Sequence, residues 1–187
     1  MTVLLALIAV GFLGAVVMVM MPKDLSHIQG YPAAKLDTNA PRNLLTEAQA
    51  IMFDPDKSVE FSEEEVNRYV NSRISGEQKG TLGSLMKYEG TYVDFDENVA
   101  EIYVLRSVFG MPVTMSSRMR IERFRSEVKW VAAGGTLGKI NLSSSHLQPV
   151  IQVYLRMMQS FKDEVGVINH MANIRFEKDK MIFESTL

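Results

Sequence analysis

Hydrophobic and polar positions divide this chain into an apolar head and an alternating body. From Val3 to Met21 there is no charge, no proline and no strongly polar side chain. At about 1.5 Å per helical residue the run spans close to 30 Å, the thickness of a bilayer's hydrocarbon layer, so residues 1–22 are predicted to be a transmembrane anchor. A cleaved signal peptide fits less well. It needs a basic start, an apolar core of about 7 to 15 residues and a small-x-small cleavage site. This run has no preceding Lys or Arg, is longer, and ends in "VMVMMP". Gly11 and Ala15 form one small-xxx-small pair, a spacing compatible with helix pairing.

Residues 23–43 carry Pro32 and Pro41 just after Pro22, without sustained apolar periodicity, and are predicted to be a tether. The soluble part, 44–187, begins with "LLTEAQAIMF", a short helix with Thr46 as its expected cap and a stop ahead of Pro55. In "VEFSEEEVNRYVNSRI", Ser62 and Glu65 form a capping box, and Val66, Tyr69, Val70 and Ile74 fall on one stripe, predicting a helix from Glu63 to Ser75. Its acids, Glu63 to Glu65, lie at the positive end of the helix dipole, so helix electrostatics explains them without a metal.

After residues 76–83 the period changes to two. "TYVDFDENVAEIYVLRSV" predicts a hairpin about "DEN". In "VTMSSRMRIERF", Val113, Met115, Met119 and Ile121 point to one face. Thr114, Ser116, Arg118, Arg120 and Glu122 point to the other, which is expected to be wet. "EVKWVAA" continues an antiparallel meander of four or so strands. The stretch "LQPVIQVYLRMMQSFKDEVGVINHM" predicts a long helix with an apolar stripe through Leu147, Ile151, Tyr154, Leu155, Met158 and Phe161. Finally "ANIRFEKDKMIFES" predicts a terminal hairpin about "KDK". The fold class is α+β: N-terminal transmembrane helix, helix, antiparallel β-meander, long helix and C-terminal β-hairpin.

Charge adds an exclusion. The chain has 22 acidic and 20 basic side chains, a net charge of −2, which argues against phosphate-driven nucleic-acid binding. Zero cysteines exclude disulfides, a CxxC redox pair and thiolate metal ligation. The cations flanking the span are the terminal amine and Lys23, so charge asymmetry does not set orientation.

One stretch, "AAGGTLGKINLSSSH" at 132–146, resembles a site at first reading. A phosphate-binding loop needs G-x-x-x-x-G-K-[ST], but Ala133 stands at the first glycine position and Ile140 follows Lys139. Ser145 and His146 are sequence neighbours that do not face one another, and the serines are better read as the cap of the following helix. His27, His146 and His170 have no ligand-spaced partners. Asp94, Asp96 and Glu97 fall in a turn, where Asp is expected for backbone hydrogen bonding. No catalytic set, metal site or cofactor follows, and an enzyme is not the expected reading.

Trp130, Tyr154, Met157, Met158 and Phe161, with Met115, have an ordinary role as core between helix and sheet. The functional alternative is a pliable apolar cavity, because methionine fills irregular spaces and adapts to varied ligands. The first five are the candidate ligand-binding residues.

The order of features resembles the YpmS-like family of bacterial envelope proteins: a single span, a tether, an "FSEEEVNRYVNSRI"-like helix with Asn67 after the acids, a β-meander, a strand ending like "LGKINL", a helix and a last hairpin. The likeness covers most of residues 60–185. Family members often begin with a basic cytoplasmic stub, which this chain lacks. The resemblance implies a domain outside the cytoplasm, sometimes compared with lipid-binding folds, with no known catalytic residues.

The expectation is thus a single-pass protein of the cell (inner) membrane, embedded in the lipid bilayer through residues 3–21. Its non-enzymatic, extracytoplasmic domain binds lipid or another apolar ligand. The alternative is a scaffold or accessory subunit docking on a membrane-protein partner.

Overall fold

A computed structural model describes residues 2–32, 42–52, 54, 57–74, 86–124, 127–147, 159–171 and 173–185. The fold is α+β. Helix α1 (Thr2–Met20) is apolar enough to cross a membrane and lies outside the core of the domain. After it come α2 (Leu44–Met52), β1 (Ser58–Ser62) and α3 (Glu63–Ile74). An antiparallel sheet follows: β2 (Met86–Asp96), β3 (Val99–Val108), β4 (Met111–Phe124), β5 (Glu127–Leu137) and β6 (Ile140–Leu142), ordered as in sequence. Then come α4 (Lys162–His170), β7 (Asn173–Glu177) and β8 (Lys180–Glu184).

The last two strands form a hairpin about residues 178–179, but they do not stand alone. β1 pairs with β8, making a three-stranded sheet ordered β1-β8-β7. In the sequence "VEFS" reads only as the lead into a helix. Four or five alternating residues are too few to reveal a strand whose partner lies some 120 positions away. Two backbone bonds join the sheets: Asn98 N–H to Phe176 O at 3.0 Å, and Asp179 N–H to Phe95 O at 3.1 Å. Phe95 and Phe176 stack there at 5.3 Å, within one core shared by both sheets and by α2, α3 and α4.

Helix α3 starts on the predicted capping box. Ser62 N–H donates to Glu65 Oε2 at 2.9 Å, and Glu65 N–H donates to Ser62 Oγ at 3.3 Å. Its buried polar stripe goes beyond that prediction. Glu63, Asn67 and Asn71, spaced i, i+4, i+8, meet Phe95, Val93 and Thr91 of edge strand β2. Glu63 Oε2 accepts Phe95 N–H at 2.7 Å. Asn67 accepts Val93 N–H at 2.6 Å and donates to Val93 O at 2.9 Å. Asn71 accepts Thr91 N–H at 3.0 Å and donates to Thr91 O at 2.6 Å. Four helical residues rise about 6 Å and two strand residues about 6.8 Å, so the side chains keep step with the strand. The helix thereby covers a sheet edge that would otherwise present unpaired backbone groups.

Part of the expected tether is docked. Leu25 and Ile28 are 1% and 2% exposed, packed on Tyr92 and Tyr103 on the sheet face opposite the main core. Gln29 N–H donates to Glu63 Oε1 at 2.7 Å, and Gln29 O accepts from Asn67 at 2.8 Å. Residues 22–32 are therefore a strap on the sheet. The alternating face of β4 expected to be wet is accordingly buried at Thr114 and Ser116.

The end of α1 is also seated. Lys139 N–H donates to Met18 O at 3.0 Å, and the β5–β6 turn packs so closely there that a Cβ added at Gly138 would lie 2.3 Å from Val19 O. Gly138 has φ +56°, a left-handed conformation that glycine adopts freely. The glycine of "LGKINL" is where the apolar helix meets the sheet.

Three local expectations change. Asn43, not Thr46, caps α2, its Oδ1 accepting Thr46 N–H at 3.2 Å, because α2 begins at Leu44. Ser143 makes no side-chain cap bond; its Oγ lies 2.7 Å from His146 Nδ1 across a 3-10 turn, Ser144–His146. The late helix is interrupted: a 3-10 turn, Gln159–Phe161, precedes α4, and Phe161 has non-helical φ and ψ. The part expected over 148–158 lies outside the described residues.

Candidate functional site

The main core does not close completely. A cavity of about 310 Å³ lies between the large sheet, the helices and the three-stranded sheet. Its floor is the core-facing surface of β2 to β5, including Val93, Phe95, Ala100, Ile102, Met119 and Trp130. Helix α3 contributes Val66, Tyr69 and Val70, and α2 contributes Leu44, Leu45 and Ala48. Phe161 and Val167 form the α4 side, while Phe61, Phe176 and Phe183 close it from the smaller sheet. Interiors are normally packed with few voids larger than a water. Ala48 of α2 and Ala100 of β3 both line this one with a single methyl group, where a longer side chain would take up space.

The lining is apolar except for Thr91, Tyr69 and Glu164. Tyr69 O–H donates to Glu164 Oε1 at 2.6 Å, and Arg73 Nε lies 3.3 Å from the same oxygen, tying α3 to α4 at the cavity's edge. Burial, reinforced by the neighbouring Glu164 carboxylate, pushes the Tyr69 phenol well above the usual tyrosine range. The hydroxyl stays protonated and serves as a donor. An apolar void of this size favours hydrocarbon over water, since a buried water needs two to four polar partners.

Of the five candidate ligand-binding residues, Trp130 and Phe161 line this cavity. Tyr154, Met157 and Met158 lie outside the described residues. Ala48, Phe61, Phe176 and Phe183 also line the cavity and are not among the residues expected from sequence. The alternation of Ile174 with Phe176 and of Met181 with Phe183 signalled buried strand faces, but nothing local showed that they would face Trp130.

A polar cluster occupies the opposite sheet face. Glu101 accepts from Ser116 Oγ at 2.5 Å and Arg118 Nε at 2.9 Å, and Lys23 Nζ lies 3.3 Å away. Lys23 also donates to Tyr103 O–H at 2.9 Å. Burial raises the Glu101 pKa, but the bonds from Ser116 and Arg118 with the Lys23 charge outweigh it and hold the carboxyl below the usual glutamate range. Lys23 and Arg118 both pair with Glu101, so the cluster fastens the strap, and Ser116 is fully buried within it.

His27, His170 and Asp96 each have a partner. His27 Nε2 lies 3.3 Å from Asp94 Oδ2, His170 Nδ1 lies 2.6 Å from Gly166 O, and Asp96 accepts Glu97 N–H at 2.8 Å within its turn. Among the described residues no three His, Asp or Glu side chains gather around a common point suited to a metal. In comparisons with known proteins, no protein-family model, curated protein or solved structure matches the chain.

Proposed function

We propose that this is a single-pass protein of the cell membrane whose domain, held outside the cytoplasm, takes up a lipid acyl chain or similar hydrocarbon. The observation that carries this reading is the apolar cavity of about 310 Å³ in a domain that also carries an apolar helix of membrane-spanning length. At roughly 30 Å³ for a group the size of a liquid-phase water, that volume takes about ten carbons. Such a site selects for apolar bulk and shape. It has no array of donors to read a complex headgroup, and the Tyr69–Glu164 pair leaves one polar point at its margin. Binding is the reading that this lining supports, because it is apolar apart from Thr91, Tyr69 and Glu164.

Trp130 is the only tryptophan and lines the cavity, so its fluorescence reports occupancy. The test is titration of the full chain in amphipol with a brominated dodecanoic acid, whose bromines quench tryptophan on contact. Saturable quenching is expected, weakened at least tenfold by Ala48→Phe or Ala100→Leu, each of which fills the void. Equal, non-saturating quenching in wild type and in a folded filling variant would refute the site.

A further inference from the structure

Among the described residues four two-residue strand connections carry a left-handed residue, and three use residues that tolerate it: Asn98, Gly138 and Asp179, with φ +61°, +56° and +63°. The β3–β4 turn differs. Phe109 has φ +52°, followed by Gly110 at +79°. A bulky side chain in this conformation is an outlier, since Asn or Gly suits a hairpin turn better. The ring is also 72% exposed, and Met111 beside it is 41% exposed. Beyond α1 and its flanking Met21, the large exposed apolar side chains among the described residues are Tyr31, Phe109 and Met111. Two of the three sit on this one tip, so the apolar exposure is concentrated.

The location supplies the occupant. The β3–β4 and β5–β6 turns lie at the same end of the antiparallel sheet, and that is where α1 arrives. Lys139 N–H holds Met18 O, and Gly138 N–H donates to Thr114 O at 2.7 Å. The last part of α1 therefore lies level with Thr114, and Val16, Val19 and Met20 are partly covered where the helix packs beside β4. From Thr114 to Met111 the strand runs on by three residues, about 10 Å, a length equal to about two turns of α1. The tip projects beyond the point where the apolar helix leaves the domain. The turns at residues 97–98 and 178–179 meet each other elsewhere, where the two sheets join.

We propose that the β3–β4 hairpin tip is a second membrane contact, with Phe109 and Met111 entering the bilayer interface beside α1. This rests on the reading of α1 as a membrane anchor. Phenylalanine is among the apolar side chains that bury into the boundary between acyl chains and headgroups. With α1 seated on the β5–β6 turn, two points of attachment set the tilt of the sheet against the membrane.

The natural chain has no cysteine, which permits single-site labelling without background substitution. Four full-length variants, Phe12→Cys, Glu97→Cys, Phe109→Cys and Met111→Cys, are labelled with an environment-sensitive nitrobenzoxadiazole dye and placed in phosphatidylcholine nanodiscs with or without brominated lipid. Labels at 109 and 111 are expected to emit at shorter wavelength and lose at least half their intensity to brominated lipid, as does the label at 12, while that at 97 remains water-like. Quenching at 12 with none at 109 or 111 overturns the hairpin contact and leaves the anchor standing. No quenching at 12 overturns the anchor and the hairpin contact together. Labels at 109 and 111 that are shielded from aqueous iodide but untouched by brominated lipid also overturn the proposal, in favour of a protein partner.

Discussion

Asn67 is fully buried, and its one carboxamide satisfies the N–H and C=O of Val93 together with the C=O of Gln29. Replacing it with alanine orphans backbone groups on two elements at once, each costing about 1–3 kcal/mol when buried unpaired. Asn67→Ala is accordingly expected to lose at least ~3 kcal/mol in urea unfolding, and a loss under 1 kcal/mol would refute the pairing. Glu63 and Glu101 are both buried carboxyls with opposite pH signatures. Burial pushes the Glu63 pKa up despite bonds from Phe95 and Gln29, so its contribution to stability is fullest below the ordinary glutamate pKa and is lost as pH rises through the raised value. The Glu101 pKa is held down, so its contribution is present above the ordinary value and is lost as pH falls through the lowered one. The stability deficit of Glu63→Gln should therefore shrink with rising pH, and that of Glu101→Gln should shrink with falling pH. Parallel curves for the two variants would contradict the assignment. At Phe109, relief of the left-handed strain makes Phe109→Asn more stable than wild type by about 1 kcal/mol in thermal unfolding of the detergent-solubilised chain. No gain there would remove the strain argument.

Among the elements, α1 and the strap depend on contacts far along the chain. The strap is held by Leu25 and Ile28 against Tyr92 and Tyr103, by Lys23 on Glu101, and by Gln29 on Glu63 and Asn67. Helix α1 is held at its end by the turn that Gly138 makes possible. A larger side chain there collides with the carbonyls of Met18 and Val19. Gly138→Val is expected to release the helix end while leaving the domain folded. Spin labels on Val10→Cys and Glu97→Cys should give a narrow distance distribution in the parent and a broad one in the variant; an unchanged narrow distribution would show that the turn does not seat α1. The patterns that predicted α3, the β2–β3 hairpin and β4 are local, repeating within one element. Thr114 and Ser116 alternate as a solvent-facing row would, yet both are buried, because the sheet face opposite the main core is covered as well.

At the scale of the whole molecule, both sheets and three helices line a cavity that no single element announces. A ligand that binds only the folded state stabilises it by about 2.7 kcal/mol at a free concentration one hundred times its dissociation constant. Brominated dodecanoic acid at that excess should raise the unfolding midpoint of wild type and leave that of Ala48→Phe unmoved. A rise of equal size in both would place the ligand elsewhere. Trp130 and Phe161 were legible as candidates because each is a large apolar side chain on a patterned element. Ala48 and Ala100 were not, because a small residue gives shape to a cavity only in relation to what stands opposite.

By itself, the sequence determined the apolar helix, the capped α3, the period-two strands and the α+β class. Those features follow from charge, chain geometry and periodicity over fewer than twenty residues. Tertiary structure alone decided that the tether becomes a strap and that β1 joins the C-terminal hairpin. It alone decided that Glu63, Asn67 and Asn71 seal a sheet edge and that "LGKINL" receives the end of α1. Each of these is a pairing between residues distant in the chain, and a side chain's pattern states which way it faces without stating what it will meet.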